Sequence, residues 1–244
     1  RDDRELGRLL QTIVACRSSS QETVAVACLT GLNEGLKRGT AKTMDSNAGR
    51  DALRLLLVGS STEIRKQALL VAAAVKFSDT PEVKASYTRA AKTVMDESLA
   101  DLDRELALTL FAGTNFATLE PVIRPLLDAR QPLDLQLAAV RVASSCDDPR
   151  VGRLLLDAWP AYTPKVQDAV VEGIFGRQNR LTGLLDAIGA GLVPASALDS
   201  SRTLQLTENS HDSIRARARA LLTAGPSPDR KAVLARYTDA LAKP

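Results

Sequence analysis

Aromatic residues are scarce in this 244-residue chain, which holds four Phe, three Tyr and one Trp. Leu, Ala and Val must fill the core instead, a composition that favours helices over sheets. Histidine occurs once, at position 211, which excludes multi-histidine metal sites and ties any imidazole-dependent triad to that residue. The three cysteines, Cys16, Cys28 and Cys146, form no CxxC or Cys/His cluster, so zinc is not expected. No apolar run approaches the roughly 18 to 20 residues that span a bilayer; the longest is 68–75. GxSxG, a P-loop and a strand-borne GxGxxG are also missing, since Gly189 and Gly191 merely end a helix.

What is present reads as a balanced globular chain. Hydrophobic residues make up 45% and charged residues 25%, with 32 Lys or Arg against 29 Asp or Glu for a net charge of +3. That excludes a collagen, a mucin, a disulfide miniprotein and a largely disordered chain. The chain opens on Arg1 with no basic-then-apolar signal segment, and it reads as an internal fragment of a larger protein.

Turn residues divide the sequence into apolar-periodic segments without β-type alternation. Helices are expected at 2–16, 21–38, 48–58, 62–77, 81–95, 101–112, 119–129, 133–146, 150–159, 164–175, 181–190, 195–206, 212–223 and 229–241. Pro81, Pro121, Pro149 and Pro164 fall near first turns, where a missing N–H costs nothing. In the fourth segment Ile64, Ala68, Val71, Ala72 and Val75 make one buried stripe, with Glu63, Arg65 and Lys66 facing outward. Cys16 ends one helix and Cys28 lies two turns into the next, roughly 10 Å apart along the axes. A disulfide is therefore not expected, and all three cysteines read as small buried thiols.

Several segments resemble one another: TEIRKQALLVAAAV, DLDRELALTLFAG, LDLQLAAVRVASS, PKVQDAVVEGIFG and DSIRARARALLTAG. Anchors at Ala68, Ala107, Ala138, Ala169 and Ala218 are spaced by 39, 31, 31 and 49 residues. Periods of this length mark stacked helical hairpins, and the last interval leaves room for an extra helix within 176–210. The spacing, with Ile64-Arg65 and Ile214-Arg215 each followed by Ala, looks like HEAT repeats. The expected fold is all-α, an α-α superhelix: a HEAT-like solenoid of antiparallel helix pairs forming one domain over 1–244. A closed helical bundle is the alternative. The polar stretch 40–47 reads as a loop.

Candidate chemistry is thin. His211 beside Asp212 fits a capping turn. Asp101 and Asp103, with Arg104 and Glu105, fit the acidic bias of a first helical turn. From His211 to Pro244 seven Lys or Arg stand against three acids, but Arg215, Arg217 and Arg219 lie two apart and fan in different directions. Arg65, Arg104, Arg141 and Arg215 are plausible contact residues that read better as solvated. A HEAT-like DNA-binding protein or alkylpurine DNA glycosylase remains the alternative, with Asp157 and Trp159 as its one acid and aromatic pair; nucleic acid is not the expected partner.

From position 177 the chain runs RQNRLTGLLDAIGAGLVPASALDSSRTLQL, then HDSIRARARALL and DRKAVLARYTDAL. The succession Leu184, Leu185, Asp186, Ala187, Ile188, Gly191, Pro194, Asp199 and Arg202 resembles the helical-repeat region of the PVC-type membrane-bound dehydrogenases, large multidomain bacterial proteins. CLTGLNEGLKRG at 28–39 is similar. About half the chain carries the resemblance; Asn209, Ser210 and His211 depart from the His and Pro usual before the Asp-x-x-Ile-Arg helix. In that family the repeats follow a β-propeller resembling sugar dehydrogenases and precede a cytochrome c domain with a haem-attaching CxxCH. The resemblance therefore implies a scaffold or protein-docking domain whose redox modules, haem c included, lie elsewhere in an exported or periplasmic parent. No CxxCH occurs here, so no haem ligation carries over to any residue; with the motifs and clusters above also missing, no catalytic, cofactor-binding or metal residue is expected in this chain, nor any membrane contact. The expected partners are another protein or flanking domains of the same polypeptide.

Overall fold

The computed structural model describes residues 2–18, 20–38, 46–58, 60–75, 77 and 80–222. Among them lie thirteen α-helices, four short 3₁₀ turns and no strand. The helices are α1 (Asp2–Ala15), α2 (Glu22–Arg38), α3 (Asn47–Val58), α4 (Thr62–Ala74), α5 (Pro81–Met95), α6 (Asp101–Leu108), α7 (Phe116–Leu126), α8 (Leu133–Ser145), α9 (Arg150–Leu156), α10 (Pro164–Phe175), α11 (Leu181–Gly189), α12 (Ser200–Thr207) and α13 (Asp212–Leu222). The all-α expectation holds. The expected helix at 229–241 lies outside the described residues.

Side-chain caps explain many of the starts. Ser61, Thr80, Asn115, Thr163 and Asp199 each accept the N–H of the residue three positions on, at 2.7–3.5 Å, which satisfies one otherwise orphaned donor per helix. Pro81 and Pro164 occupy the first position of their helices. Pro121 does not: α7 starts three residues earlier than expected, at its Asn115 cap, and holds Pro121 and Pro125 inside it. Both prolines are exposed and four apart, so the carbonyls they leave without a helical N–H face solvent on one side. The segment expected as one helix over 195–206 is split. A 3₁₀ turn at Ala195–Ala197 is followed by the Asp199 cap, which restarts the chain as α12.

The chain divides into two compact units, Arg1–Asp148 and Pro149–Pro244. In the first, α1 packs on α3, α3 on α5 and α5 on α7, while α2 packs on α4 and α6 on α8; α4 meets the 3₁₀ turn Thr109–Phe111 that extends α6. Hairpin contacts α1·α2, α3·α4, α5·α6 and α7·α8 join the two rows. The α4 stripe of Ile64, Ala68, Val71, Ala72 and Val75 is buried. In the second unit α9 pairs with α10, α11 packs on α9 and α13, and α12 pairs with α13. The extra helix expected within 176–210 is thus present.

One device recurs in both units. In α4, α6, α8, α10 and α13, though not in α2, where Ala25 stands, the fourth helical residue carries a long donor that bonds a main-chain carbonyl in or before the preceding turn. Arg65 reaches Ser60 O at 2.8 Å, Arg104 reaches Val94 O at 2.9 Å, and Gln136 reaches Gln131 O at 2.7 Å. Gln167 reaches Trp159 O at 3.3 Å and Arg215 reaches Asn209 O at 2.7 Å. Three residues beyond this donor stand Ala68, Ala107, Ala139, Val170 and Ala218, all buried. Two of the expected anchors therefore shift by one position, from Ala138 to Ala139 and from Ala169 to Val170.

Candidate functional site

A hollow of about 490 Å³ lies in the first unit. Leu69, Leu70 and Ala73 of α4 and the ring of Tyr87 on α5 form its apolar side; Lys84, Thr88, Thr114, Asn115 and Thr118 form its polar rim. The Tyr87 ring stands 5.4 Å from that of Phe111, tilted by 37°, within the range of favourable aromatic pairs. Burial pushes the Tyr87 phenol up to about 12, so it stays protonated at neutral pH.

The turn at the rim is built from two constraints. Gly113 has φ +76°, and a Cβ there would lie 3.3 Å from Leu70 Cδ2; its N–H donates to Ser145 Oγ at 3.0 Å. Asn115 Oδ1 then accepts both the N–H and the hydroxyl of Thr118, at 3.0 and 3.1 Å. The hydroxyls of Thr88 and Thr114 donate to Lys84 O and Phe111 O, both at 2.9 Å. The rim is thus bound into its own backbone, and no His, Cys, Asp or Glu lines the hollow. Such a surface can hold an apolar group beside hydrogen-bonding groups, but it presents no base aimed at a nucleophile. A shallower hollow of about 410 Å³ lies between α1 and α3, lined by residues such as Val14, Ala48 and Leu55.

The residues singled out from sequence do not converge there. His211 is exposed; its N–H donates to Asn209 Oδ1 at 3.0 Å and its carbonyl accepts Arg215 N–H at 3.0 Å, so it sits in the capping turn of α13. Asp101 and Asp103 occupy the first turn of α6. Arg104, expected as solvated, is 3% exposed; besides Val94 O it reaches Gln131 Oε1 at 3.1 Å and Asp101 Oδ1 at 3.3 Å. Arg65 is half-buried, and burial, with Arg89 nearby, lowers its pKa. Arg141 is exposed and lies 3.9 Å from Glu105.

The three arginines of α13 fan apart as expected, but each meets a partner. Arg215 pairs with Asp212, Arg217 with Asp186 of α11, and Arg219 with Glu208 at 2.7 Å while donating to Thr207 O at 2.9 Å. Arg217 and Arg219 tie α13 to α11 and to the end of α12, and Arg215 closes on its own helix start. Asp157 is exposed, whereas Trp159 is 3% exposed and lies in the core. Of the three cysteines only Cys146 is buried; Cys28 is exposed and Cys16 half-buried. The expectation of three buried thiols is corrected because Cys28 sits on the solvent side of α2, where Ala25 and Leu29 take the core.

Among the described residues no group of three or more His, Cys, Asp or Glu is placed to hold a metal ion. No described helix is long and apolar enough to cross a membrane. Compared with the known protein families, with curated proteins and with solved structures, the chain matches none.

Proposed function

We propose that this chain is a noncatalytic helical-repeat scaffold. In this reading it is a HEAT-like, armadillo-like α-α superhelix over 1–244 that docks a protein partner or spaces the flanking domains of a larger polypeptide. The observation that carries the reading is the stacking within 1–148, where α1, α3, α5 and α7 pack in succession and their partner helices do the same beside them. Hairpins that bury their apolar faces on their neighbours build extended surfaces suited to docking. The recurring donor at the fourth helical position supports a common repeat unit.

The resemblance of 177–241 to the PVC-type membrane-bound dehydrogenases extends the proposal to the parent. There the chain is a cytochrome c-associated spacer in an exported or periplasmic protein, with haem c and the dehydrogenase chemistry carried by other domains. Expression of the full reading frame tests this. A propeller before the repeats and a CxxCH after them, with covalently bound haem seen in the α-band of the reduced protein, is the expected result. A parent without either withdraws the dehydrogenase context and leaves the scaffold. Duplex DNA titrated at low salt tests the alternative of a DNA-binding protein or glycosylase; no mobility shift is expected, and a salt-dependent one would revive it.

A further inference from the structure

The α6 helix carries a feature that its sister helices lack. Arg104, Ala107 and Leu108 form its buried face. Leu102 and Leu106, four residues apart, stand on the opposite face, 67% and 44% exposed. Aligned on the donor at the fourth position, the same two places hold Glu63 and Gln67 in α4, and Asp134 and Ala138 in α8. In α10 they hold Lys165 and Ala169, and in α13 Ser213 and Arg217. The other hairpins use polar or small residues where α6 uses two leucines, and the leucines add little to the core. Leu99 in the preceding turn and Leu133 at the start of α8 are also exposed. The bond from Arg104 to Gln131 Oε1 holds that start beside the first turn of α6.

Carboxylates adjoin this apolar ridge along the chain and on the helix packed beside it. Asp101, Asp103 and Glu105 flank it on α6, Asp96 and Glu97 precede it, and Asp134 lies on the neighbouring α8. Three cations of this region are engaged. Arg104 is turned inward to Val94 O and meets Asp101, Arg141 lies 3.9 Å from Glu105, and both Asp128 oxygens hold Arg130 at 2.9–3.0 Å.

We propose that the Leu102–Leu106 ridge receives a basic amphipathic helix of a partner protein, its apolar stripe on the leucines and its Lys or Arg flanks against the carboxylates. This rests on the docking reading above and names the partner's chemistry. A second copy of the chain would set one acidic rim against another, and an anionic lipid surface would be repelled by the same charges.

The experiment is a fluorescence-anisotropy titration of the full chain with a synthetic Leu/Lys amphipathic helix, beside a Leu/Glu peptide of the same pattern. The Leu/Lys peptide is expected to bind, more weakly as salt rises, and the Leu/Glu peptide not to bind. Leu102→Ser with Leu106→Ser is expected to weaken binding at least about tenfold. Leu204→Ser, at a leucine 61% exposed in the second unit, is expected to leave it unchanged. Equal binding of the two peptides, unchanged affinity in the double variant, or a wild-type dimer that the double variant dissolves would each overturn the proposal. Should the double variant lose helicity, Asp103→Lys with Asp134→Lys provides the same readout by reversing charge. The scaffold reading is decided by the parent's domain content, which this titration does not touch, so the two failures are distinguishable.

Discussion

An arginine with 3% of its surface exposed must have its donors met, because a buried unpaired cation costs several kcal/mol. Arg104 meets its own through Val94 O, Gln131 and Asp101. Arg104→Leu would strand the Val94 carbonyl and the Gln131 amide, and urea denaturation is expected to show a loss of about 2–4 kcal/mol. The sequence places Arg104 among acids in a first turn, where solvated ion pairs are common. Its principal acceptor is a main-chain oxygen ten residues back, which no pattern of side chains discloses. At Tyr87 the folded pKa, about 12, lies above the unfolded value near 10. The folded state therefore keeps a proton that the unfolded chain releases, so the burial contribution is intact below pH ~10 and falls as pH rises toward ~12, by up to about 2–3 kcal/mol. Alkaline urea denaturation should show this decline, and Tyr87→Phe should remove it.

Among the elements, the turn from Ala112 to Asn115 concentrates local constraints. Gly113→Ala forces a side chain into the left-handed region and toward Leu70, and thermal melting is expected to report a loss of about 1–2 kcal/mol. Asn115→Ala removes the cap of α7 at about 1 kcal/mol; the double variant should fall short of the sum, since both act on one turn. Helix positions were largely legible because apolar periodicity and Ser, Thr, Asp or Pro starts agree, as at Thr80-Pro81 and Thr163-Pro164. They were misread where those signals conflict. Pro121 reads as a start, yet the cap is Asn115; 195–206 reads as one amphipathic run, yet Asp199 breaks and restarts it. The hollow beside Tyr87 was not legible at all, since its walls come from α4, α5 and α7, and a left-handed glycine brings their ends together.

For the whole molecule, the packing of 1–148 onto itself leads to a direct expectation. That piece expressed alone should keep its helical far-UV dichroism and a cooperative melt; a featureless spectrum would show that its stability depends on the remainder. The repeat spacing is visible in the sequence because the matched second helices share an Arg or Gln at the fourth position and an Ala or Val three residues later. The anchors read at Ala138 and Ala169 fall one position short because each adjoins an apolar residue, Ala139 and Val170, that fits the pattern equally well until the donor fixes the phase. The donors also reach acceptors 5, 10, 5, 8 and 6 residues upstream. A linkage indifferent to how much chain lies between its ends tolerates insertion and deletion, so loops from one hairpin should be graftable onto another, and lineages free to vary them without remaking the framework.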